Sequence, residues 1–343
     1  MDSILCNYFY YFLLFWEGTT VYLFSILVMK KFTKSFVFFM LPIFIIGIFS
    51  EKMLRRIPND YSYKKKYLDE NSKNIDILFL GNSHIFLGIN PKYIKGKSFN
   101  AAHVAQSLDF DLKILEKYKN RWDNLQFLIV RIDYTSLYSN LETAEKWRLK
   151  NYSLYYDIKT NNDIIENSEV FQNRMSFNIN RLYQFYVKDK SSISCTKLGW
   201  GTSYNSKFNH DLLKTGKTAA KIHHAKNNNL FNYNIGILKQ IIQFAKSNKT
   251  RIIFVTSPVY KSYVENLDKN QLNNTVNVAF KISRIFPNVT YLNFMTDKTF
   301  NKEDFFDADH LNEIGAKKWS LKIDSLINVL KYNKSKNQLY SLQ

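Results

Sequence analysis

The chain has 343 residues, of which 45% are hydrophobic and 16% are aromatic, and its formal net charge is +19 at pH 7. This length accommodates one large domain plus a membrane anchor, and the apolar content excludes a globally disordered chain. A strong positive charge is compatible with a nucleic-acid partner. However, the lysines are scattered along the chain and no nucleic-acid-binding motif occurs, so we expect no such partner.

The cysteine and histidine content limits the kinds of site that the chain can build. Cys6 and Cys195 are the only cysteines, which excludes a disulfide framework and a cysteine-based metal site. The pair His223-His224 has no partners at metal-ligand spacing. We therefore expect no metal and no other cofactor.

Two apolar runs open the chain. The first covers residues 4–29 and is interrupted by Glu17-Gly18, whereas the second covers residues 36–49 and contains no charge. The second run is shorter than the roughly 20 apolar residues of a full span, but flanking residues can extend it. Its side chains are apolar all round the helix, which disfavours a core helix, and no cleavage site for a signal peptide follows. We predict an uncleaved membrane helix near residues 35–50.

The basic residues around this run predict its orientation in the cytoplasmic membrane. Lys30, Lys31 and Lys34 favour a cytoplasmic position for the segment before the run, which places residues after 51 outside the cytoplasm. The basic residues between 52 and 66 argue for the opposite orientation. If residues 4–29 also cross the membrane as the first helix of a hairpin, the protein is two-pass. Alternatively Met29 is the native start and the residues before it are an extension.

The remaining sequence is divided into a polar stalk over residues 51–74, an α/β domain over residues 75–333 and a polar tail over residues 334–343. Apolar runs predict five strands, from Ile75 to Leu80, Ser98 to Asn100, Phe127 to Ile132, Arg251 to Thr256 and Val289 to Leu292. Helical patterns follow the second strand through Leu108 to Tyr118 and close the domain between Asn312 and Leu330.

The alternation of apolar strands with helices predicts a parallel sheet covered on both faces, which is a three-layer α/β/α sandwich. Residues 134–230 interrupt this alternation with Tyr- and Asn-rich sequence. We interpret them as an insertion over the strand ends and not as a separate domain.

A candidate nucleophile follows the first strand in the segment Gly81-Asn82-Ser83-His84. Ligands of an open α/β sheet bind beyond the carboxyl ends of the strands, where this segment lies. A serine presented there becomes a nucleophile when a base is close. The structural alternative is a helix N-cap, which uses the same residue types.

A candidate base lies near the end of the chain, just before the last predicted helix. Asp307 precedes His310 by three residues, a spacing at which a carboxylate can orient an imidazole through its Nδ1 proton. The other ring nitrogen is then free to take a proton from a serine. This spacing favours Asp307 over Asp309 as the orienting acid.

These two segments resemble the first and last sequence blocks of the SGNH (GDSL-type) hydrolase superfamily, in their order and context over roughly residues 75–330. The membrane helix, the segment Asp309-His310-Leu311-Asn312 and Gly315 resemble cell-envelope members that act in alginate acetylation or teichoic-acid D-alanylation. The resemblance implies a flavodoxin-like SGNH fold and a triad of Ser83, His310 and Asp307. It further implies a serine esterase or O-acetyltransferase acting on a cell-surface glycan, with a membrane O-acyltransferase as partner.

The sequence departs from the superfamily pattern at the oxyanion donors. The second block usually supplies a glycine amide, and the matching region here is Phe99-Asn100-Ala101-Ala102, so the amides of Ser83 and Ala102 are the predicted donors. The third block usually supplies an Asn side chain, but Arg131-Ile132-Asp133-Tyr134 contains none. A missing donor costs about 2–4 kcal/mol of transition-state stabilisation.

Two other functions are alternatives. The missing Asn of the third block supports the first, and the second shares the predicted ester chemistry. One is a catalytically weak glycan-binding or scaffold subunit of an envelope acylation complex, and the other is a general secreted esterase. The residues predicted to contact the substrate are Asn82, His84, Asn100, Asp133 and Trp200, of which Trp200 is alternatively a core residue.

Overall fold

The computed structural model describes residues 2–332 except 162 and 209, with side chains described from Met29 onward. The helices are α1 Asp2–Arg55, α2 Asp60–Asn71, α3 Ser83–Gly88, α4 Leu108–Lys117, α5 Leu141–Glu145, α6 Leu149–Tyr155, α7 Glu169–Gln172, α8 Met175–Leu182, α9 Leu212–His223, α10 Phe231–Ser247, α11 Lys261–Val264, α12 Lys269–Ile285 and α13 Glu313–Tyr332. A π-helical turn, Tyr183–Val187, extends α8. The predicted polar tail lies outside the described residues.

The described strands form a five-stranded parallel sheet in the order β2-β1-β3-β4-β5. The strands are β1 Ile77–Leu80, β2 Ser98–Asn100, β3 Phe127–Arg131, β4 Arg251–Thr256 and β5 Val289–Asn293. This is the strand order of doubly wound flavodoxin-like folds. In these folds β2 lies on one side of β1 and all later strands lie on the other, so the switch point is between β1 and β3. The predicted strands and the predicted parallel sheet are confirmed.

Helices cover both faces of the sheet because successive side chains of each strand point to opposite faces. On one face, Leu78 and Phe254 pack in a buried cluster with residues of α2, α4, α10 and α12. On the other face, Phe79 and Val255 pack in a second cluster with α3 and with the fully buried Trp319 of α13. The predicted three-layer α/β/α arrangement is therefore confirmed.

The N-terminal helix α1 is continuous for 54 residues, which corresponds to about 80 Å. Its segment Met29–Arg55 is long and apolar enough to cross a membrane, and its apolar window is not buried against the rest of the protein. The backbone passes Lys30–Lys34 without a turn, so the described residues form one helix there and not a hairpin.

The predicted polar stalk is a helix packed on the domain. Asn59 caps α2 by accepting hydrogen bonds from the amides of Tyr61 and Ser62. The side chains of Tyr61, Lys64 and Leu68 lie on one face of the helix and are buried. This face is short and includes a lysine, and the rest of the helix is polar. The hydrophobic periodicity of the sequence therefore did not predict a packed helix here.

The insertion packs against the edge of the sheet next to β2 and against α3. The Asn100 amide donates to Leu198 O at 3.0 Å, and the Gly201 amide donates to Phe86 O at 2.9 Å. Between these bonds the chain turns at Gly199, whose φ of 85° is in the left-handed region that favours glycine. The turn fixes one end of the insertion next to the strand that leads into the candidate site.

We expect Gly199→Ala to lower the free energy of unfolding by about 2–4 kcal/mol, because its Cβ would clash with the backbone oxygen of Asn100 and the residue would keep a positive φ. Urea denaturation followed by circular dichroism measures the change. The matched control is Gly236→Ala in α10, where a Cβ meets no atom within 4 Å. That control should stabilise the protein by about 0.5–1 kcal/mol, and equal effects of the two substitutions would contradict the clash.

Candidate active site

The turn between β1 and α3 positions Ser83. Gly81 has a φ of 132°, and a Cβ there would lie 2.8 Å from Cβ of Arg131, so the position requires glycine. Asn82 is the N-cap of α3 and accepts a hydrogen bond from the His84 amide at 3.0 Å. Ser83 is thus the first residue of α3, at the carboxyl edge of the sheet, and its own amide lies outside the internal hydrogen bonds of the helix.

His310 is brought to Ser83 from 227 residues along the chain, with Ser83 Oγ 2.8 Å from His310 Nε2. On the other side of the ring, Nδ1 lies 3.0 Å and 3.2 Å from the two carboxylate oxygens of Asp307. Asp307 also accepts the backbone amides of Asp309 and His310, at 3.1 Å and 2.8 Å. This is the arrangement that a serine nucleophile, its base and an orienting acid require.

Asp309 is a second carboxylate next to the same imidazole. It is buried, and its Oδ2 lies 3.5 Å from His310 Nδ1 and 3.5 Å from His84 Nε2. Burial lowers the pKa of His310, but the charges of Asp309 and Asp307 outweigh it and raise this pKa well above its usual value. Because a base must be unprotonated, the two carboxylates make the serine–histidine pair more effective at alkaline pH.

A buried network occupies the position after β3 where the superfamily pattern has an Asn. Asp133 Oδ2 lies 2.8 Å from His84 Nδ1 and 2.6 Å from Arg131 Nη1, and Ser257 Oγ lies 3.1 Å from His84 Nδ1. Burial raises the pKa of Asp133, but Arg131 and His84 hold it well below its usual range. His84 and Asp133 are both predicted to contact substrate. In the structure they are hydrogen-bonded to each other, and Arg131 and Ser257 are their further partners.

Asn100 and Ala102 have partners within the protein in place of their predicted roles. Asn100 is fully buried, and its Nδ2 donates to Ile85 O and Ile89 O, both at 2.8 Å. Its Oδ1 accepts the Ala102 amide at 3.1 Å. One side chain thus ties β2 to α3 and occupies the amide that was predicted to hold the oxyanion, which leaves Ser83 as the predicted donor still available.

Tyr204 of the insertion lies beside His310, whereas Trp200 contacts the end of α3. The ring of Tyr204 stacks on Phe306 at 3.9 Å and meets the His310 ring edge-on at 5.3 Å. Trp200 is half-buried, and its indole nitrogen donates to Leu87 O at 2.6 Å. No sequence signal places Tyr204 here, since it follows no strand.

His84, Asp309 and His310 also form a group with the composition of a metal site, since one ligand atom from each lies within 4.8 Å of the others. The His310 nitrogen on that side is hydrogen-bonded to Asp307, and the other nitrogen faces Ser83. A metal ion bound there would compete with Asp307. The absence of a metal stays a prediction.

The comparisons with known proteins are distant. No family model matches the sequence, and no curated protein matches it. A solved structure of a proposed platelet activating factor from Streptococcus pneumonia superposes with a TM-score of 0.40 and 11% identity, covering 84% of this chain and 98% of that chain. A proposed acylhydrolase from Bacteroides fragilis gives a TM-score of 0.37 and 10% identity, covering 78% and 96%. Likenesses this distant assign no function to the chain.

Proposed function

We propose that this chain is an SGNH-type serine esterase or O-acetyltransferase that acts on a cell-surface polysaccharide. One observation carries the proposal. At the carboxyl edge of the sheet, the His310 ring is hydrogen-bonded to Ser83 Oγ through one nitrogen and to the Asp307 carboxylate through the other. A serine that only capped a helix would have no need of an imidazole that is itself held by a carboxylate.

The geometry supports a two-step acyl transfer. Ser83 Oγ attacks the ester carbonyl carbon while Nε2 of the neutral His310 takes the hydroxyl proton, and the Ser83 amide donates to the oxyanion. His310 then gives the proton to the departing alkoxide, which leaves an acyl-serine. Water or a sugar hydroxyl attacks this ester and loses its proton to His310. His310 then gives this proton to the departing Ser83 Oγ, which restores the free serine and the neutral imidazole.

A glycan substrate is supported by the aromatic pair beside the base. Tyr204 and Phe306 are both half-exposed and stack against each other next to His310. Aromatic rings offer flat, partly polar surfaces of the kind on which sugar rings pack. We assign this pair, and the half-exposed ring of Trp200, to the acceptor side of the site.

The test is an acyl-transfer assay on the purified full chain, with p-nitrophenyl acetate as donor and a soluble oligosaccharide as acceptor. Acetate release alone identifies an esterase, and an added acetyl mass on the oligosaccharide identifies a transferase. Intact-protein mass spectrometry should also detect an acetyl group on wild-type protein at short times. If there is no turnover and no acetylated protein, the proposal fails.

The second candidate is a glycan-binding scaffold with little catalytic power, and the Asn100–Ala102 hydrogen bond favours it. That bond removes one of the two predicted oxyanion donors, which is worth about 2–4 kcal/mol if nothing replaces it. Calorimetric binding of the oligosaccharide by a chain that forms no acyl-serine would support the scaffold.

We further propose that the domain lies outside the cytoplasmic membrane, on the basis of the lysines before the apolar run. Lys66→Cys, at a side chain that is 76% exposed, should react with a membrane-impermeant maleimide on intact cells or spheroplasts. Cys6 and Cys195 are replaced by Ser in this variant to remove the native thiols. Labelling only after lysis would place the domain inside, and surface glycan acylation would then be excluded.

A further inference from the structure

One segment of the insertion exposes large apolar side chains to an extent that folding does not explain. We name residues 164–187 the apolar collar. Its exposed apolar residues include Ile164 (82%), Ile165 (59%), Phe171 (68%), Met175 (79%), Phe177 (54%), Ile179 (58%) and Val187 (66%). In α8 the single fully buried residue is Asn178, so the apolar residues of this helix do not serve the core. So many exposed apolar side chains within one short segment indicate an interaction site.

The collar is bonded directly to the end of α1. The carboxylate of Glu51 accepts Ser168 Oγ at 2.8 Å and the amides of Glu169 and Val170 at 3.0 Å and 2.8 Å. From the other part of the collar, the hydroxyl of Tyr186 donates to Met53 O at 3.0 Å. Residues 168–170 and Tyr186 therefore both contact the last two turns of α1.

A buried ionic cluster holds the inner side of the collar in place. Glu169 is 1% exposed, and its Oε2 lies 2.7 Å from Lys150 Nζ and 2.8 Å from Arg181 Nη1. Tyr155 donates a further hydrogen bond to the same carboxylate. The cluster fixes Glu169 and Arg181 on the inner side of the collar, while Met175 and Ile179 stay exposed.

The collar lies at the level where a membrane-spanning α1 leaves the hydrocarbon. Phe49 is 62% exposed in the apolar part of α1, and Met53 follows about 6 Å further along the helix axis. Interfacial elements bury their apolar face about 5–10 Å deep at the headgroup boundary. Tyr183 and Tyr186 suit this level, as do the exposed cations Lys52 and Arg56 next to anionic headgroups.

The same attachment relates the membrane to the candidate active site. The helix α2 begins five residues after α1 ends, and its Tyr61 stacks on His103 at 4.0 Å. His103 follows the carboxyl end of β2, and its amide donates to Gly81 O, two residues before Ser83. The helix that follows α1 thus packs near the carboxyl edge of the sheet, which carries Ser83.

We propose that the apolar collar lies in the headgroup interface of the bilayer that α1 spans and turns the Ser83 edge of the sheet toward that bilayer. The occupant of the surface is lipid, because the collar continues the lipid-facing surface of α1. The proposal depends on α1 crossing a membrane and not on catalysis, so it stands or fails separately from the proposed function.

The test uses the full chain without its two native cysteines, reconstituted in nanodiscs of phosphatidylcholine and phosphatidylglycerol. A nitrobenzoxadiazole fluorophore on Met175→Cys should emit at shorter wavelength than in water. Lipids that carry a nitroxide near the headgroup should quench it at least twofold. The matched control is Ile285→Cys. Ile285 is an apolar residue that is 58% exposed, and it lies just before the amino end of β5, away from the carboxyl edge that carries Ser83.

The control label should be quenched little, and Phe177→Cys should repeat the result of Met175→Cys. Equal quenching at Met175 and Ile285 would show that the collar faces water, and the proposal would be wrong. A short-wavelength emission without nitroxide quenching would show that protein, such as a second copy of the chain, covers the collar, which would also overturn the lipid assignment.

Discussion

Ser83→Ala is expected to abolish labelling by a fluorophosphonate probe and to lower kcat for ester hydrolysis by a factor on the order of 10⁴ to 10⁶. The physical reason is that attack on the probe's phosphorus requires a hydroxyl whose proton a base can take, and Ser83 Oγ lies 2.8 Å from His310 Nε2. In-gel fluorescence measures labelling, and steady-state hydrolysis of p-nitrophenyl acetate measures turnover. The urea midpoint should change little, since Asn82 and not Ser83 caps α3.

The matched control is Ser257→Ala. Ser257 lies at the same edge of the sheet, but its Oγ is hydrogen-bonded to His84 and not to His310. This variant should keep its labelling. Equal labelling of wild type and Ser83→Ala would identify another nucleophile, and a wild-type chain that does not react would support the scaffold function instead.

The strands of the fold could be predicted because strands buried on both faces are continuous apolar runs that polar residues bound. The segments RIIFVT and FLIVR show this, and both became central strands of the sheet. Ser83 could be proposed because residues that follow the strands of a parallel sheet lie at its carboxyl edge, and His310 because its segment resembles the last block of the superfamily. That edge also receives Ser257, which the same argument would have found since it follows β4 directly.

The oxyanion region could not be predicted, because its outcome depends on side-chain hydrogen bonds that no motif encodes. The Asn100 side chain accepts the Ala102 amide while its Nδ2 donates to one carbonyl oxygen in α3 and to another just after it. Lys64 presents the same difficulty. In the sequence it belongs to a polar stalk, yet its amine is fully buried, donates to Ala102 O and lies 4.2 Å from the centre of the Phe86 ring. Burial lowers its pKa to about 8.

The membrane side of the protein was also only partly predictable. The apolar run of α1 indicated a span, but the collar is far away in sequence and has no periodicity that distinguishes it from a core helix. Its role depends on the contact between Glu51 and the amides of residues 169 and 170, which is a tertiary feature. A short amphipathic helix has the same periodicity whether its apolar face meets lipid or the protein core.

The two carboxylates beside His310 lead to opposite expectations for two matched substitutions. Asp307 is within 3.0 Å of Nδ1 and orients the ring, whereas Asp309 lies 3.5 Å from the same nitrogen. We expect Asp307→Asn to lower kcat by about 10⁴, because an amide that donates to Nδ1 stabilises the wrong tautomer. Asp309→Asn should retain most of the maximal kcat, since Asp307 still holds the ring.

The effect of Asp309→Asn should appear in the pH dependence. His310 acts as a base when neutral, so kcat/KM rises as the pH increases through its pKa, which both carboxylates raise. Removing one negative charge lowers this pKa and moves the acid limb of the profile to lower pH. Profiles of kcat/KM from pH 5 to 10 for wild type and both variants measure the shift. A loss of about 10⁴ in Asp309→Asn together with a nearly active Asp307→Asn would reverse the assignment and make Asp309 the orienting acid.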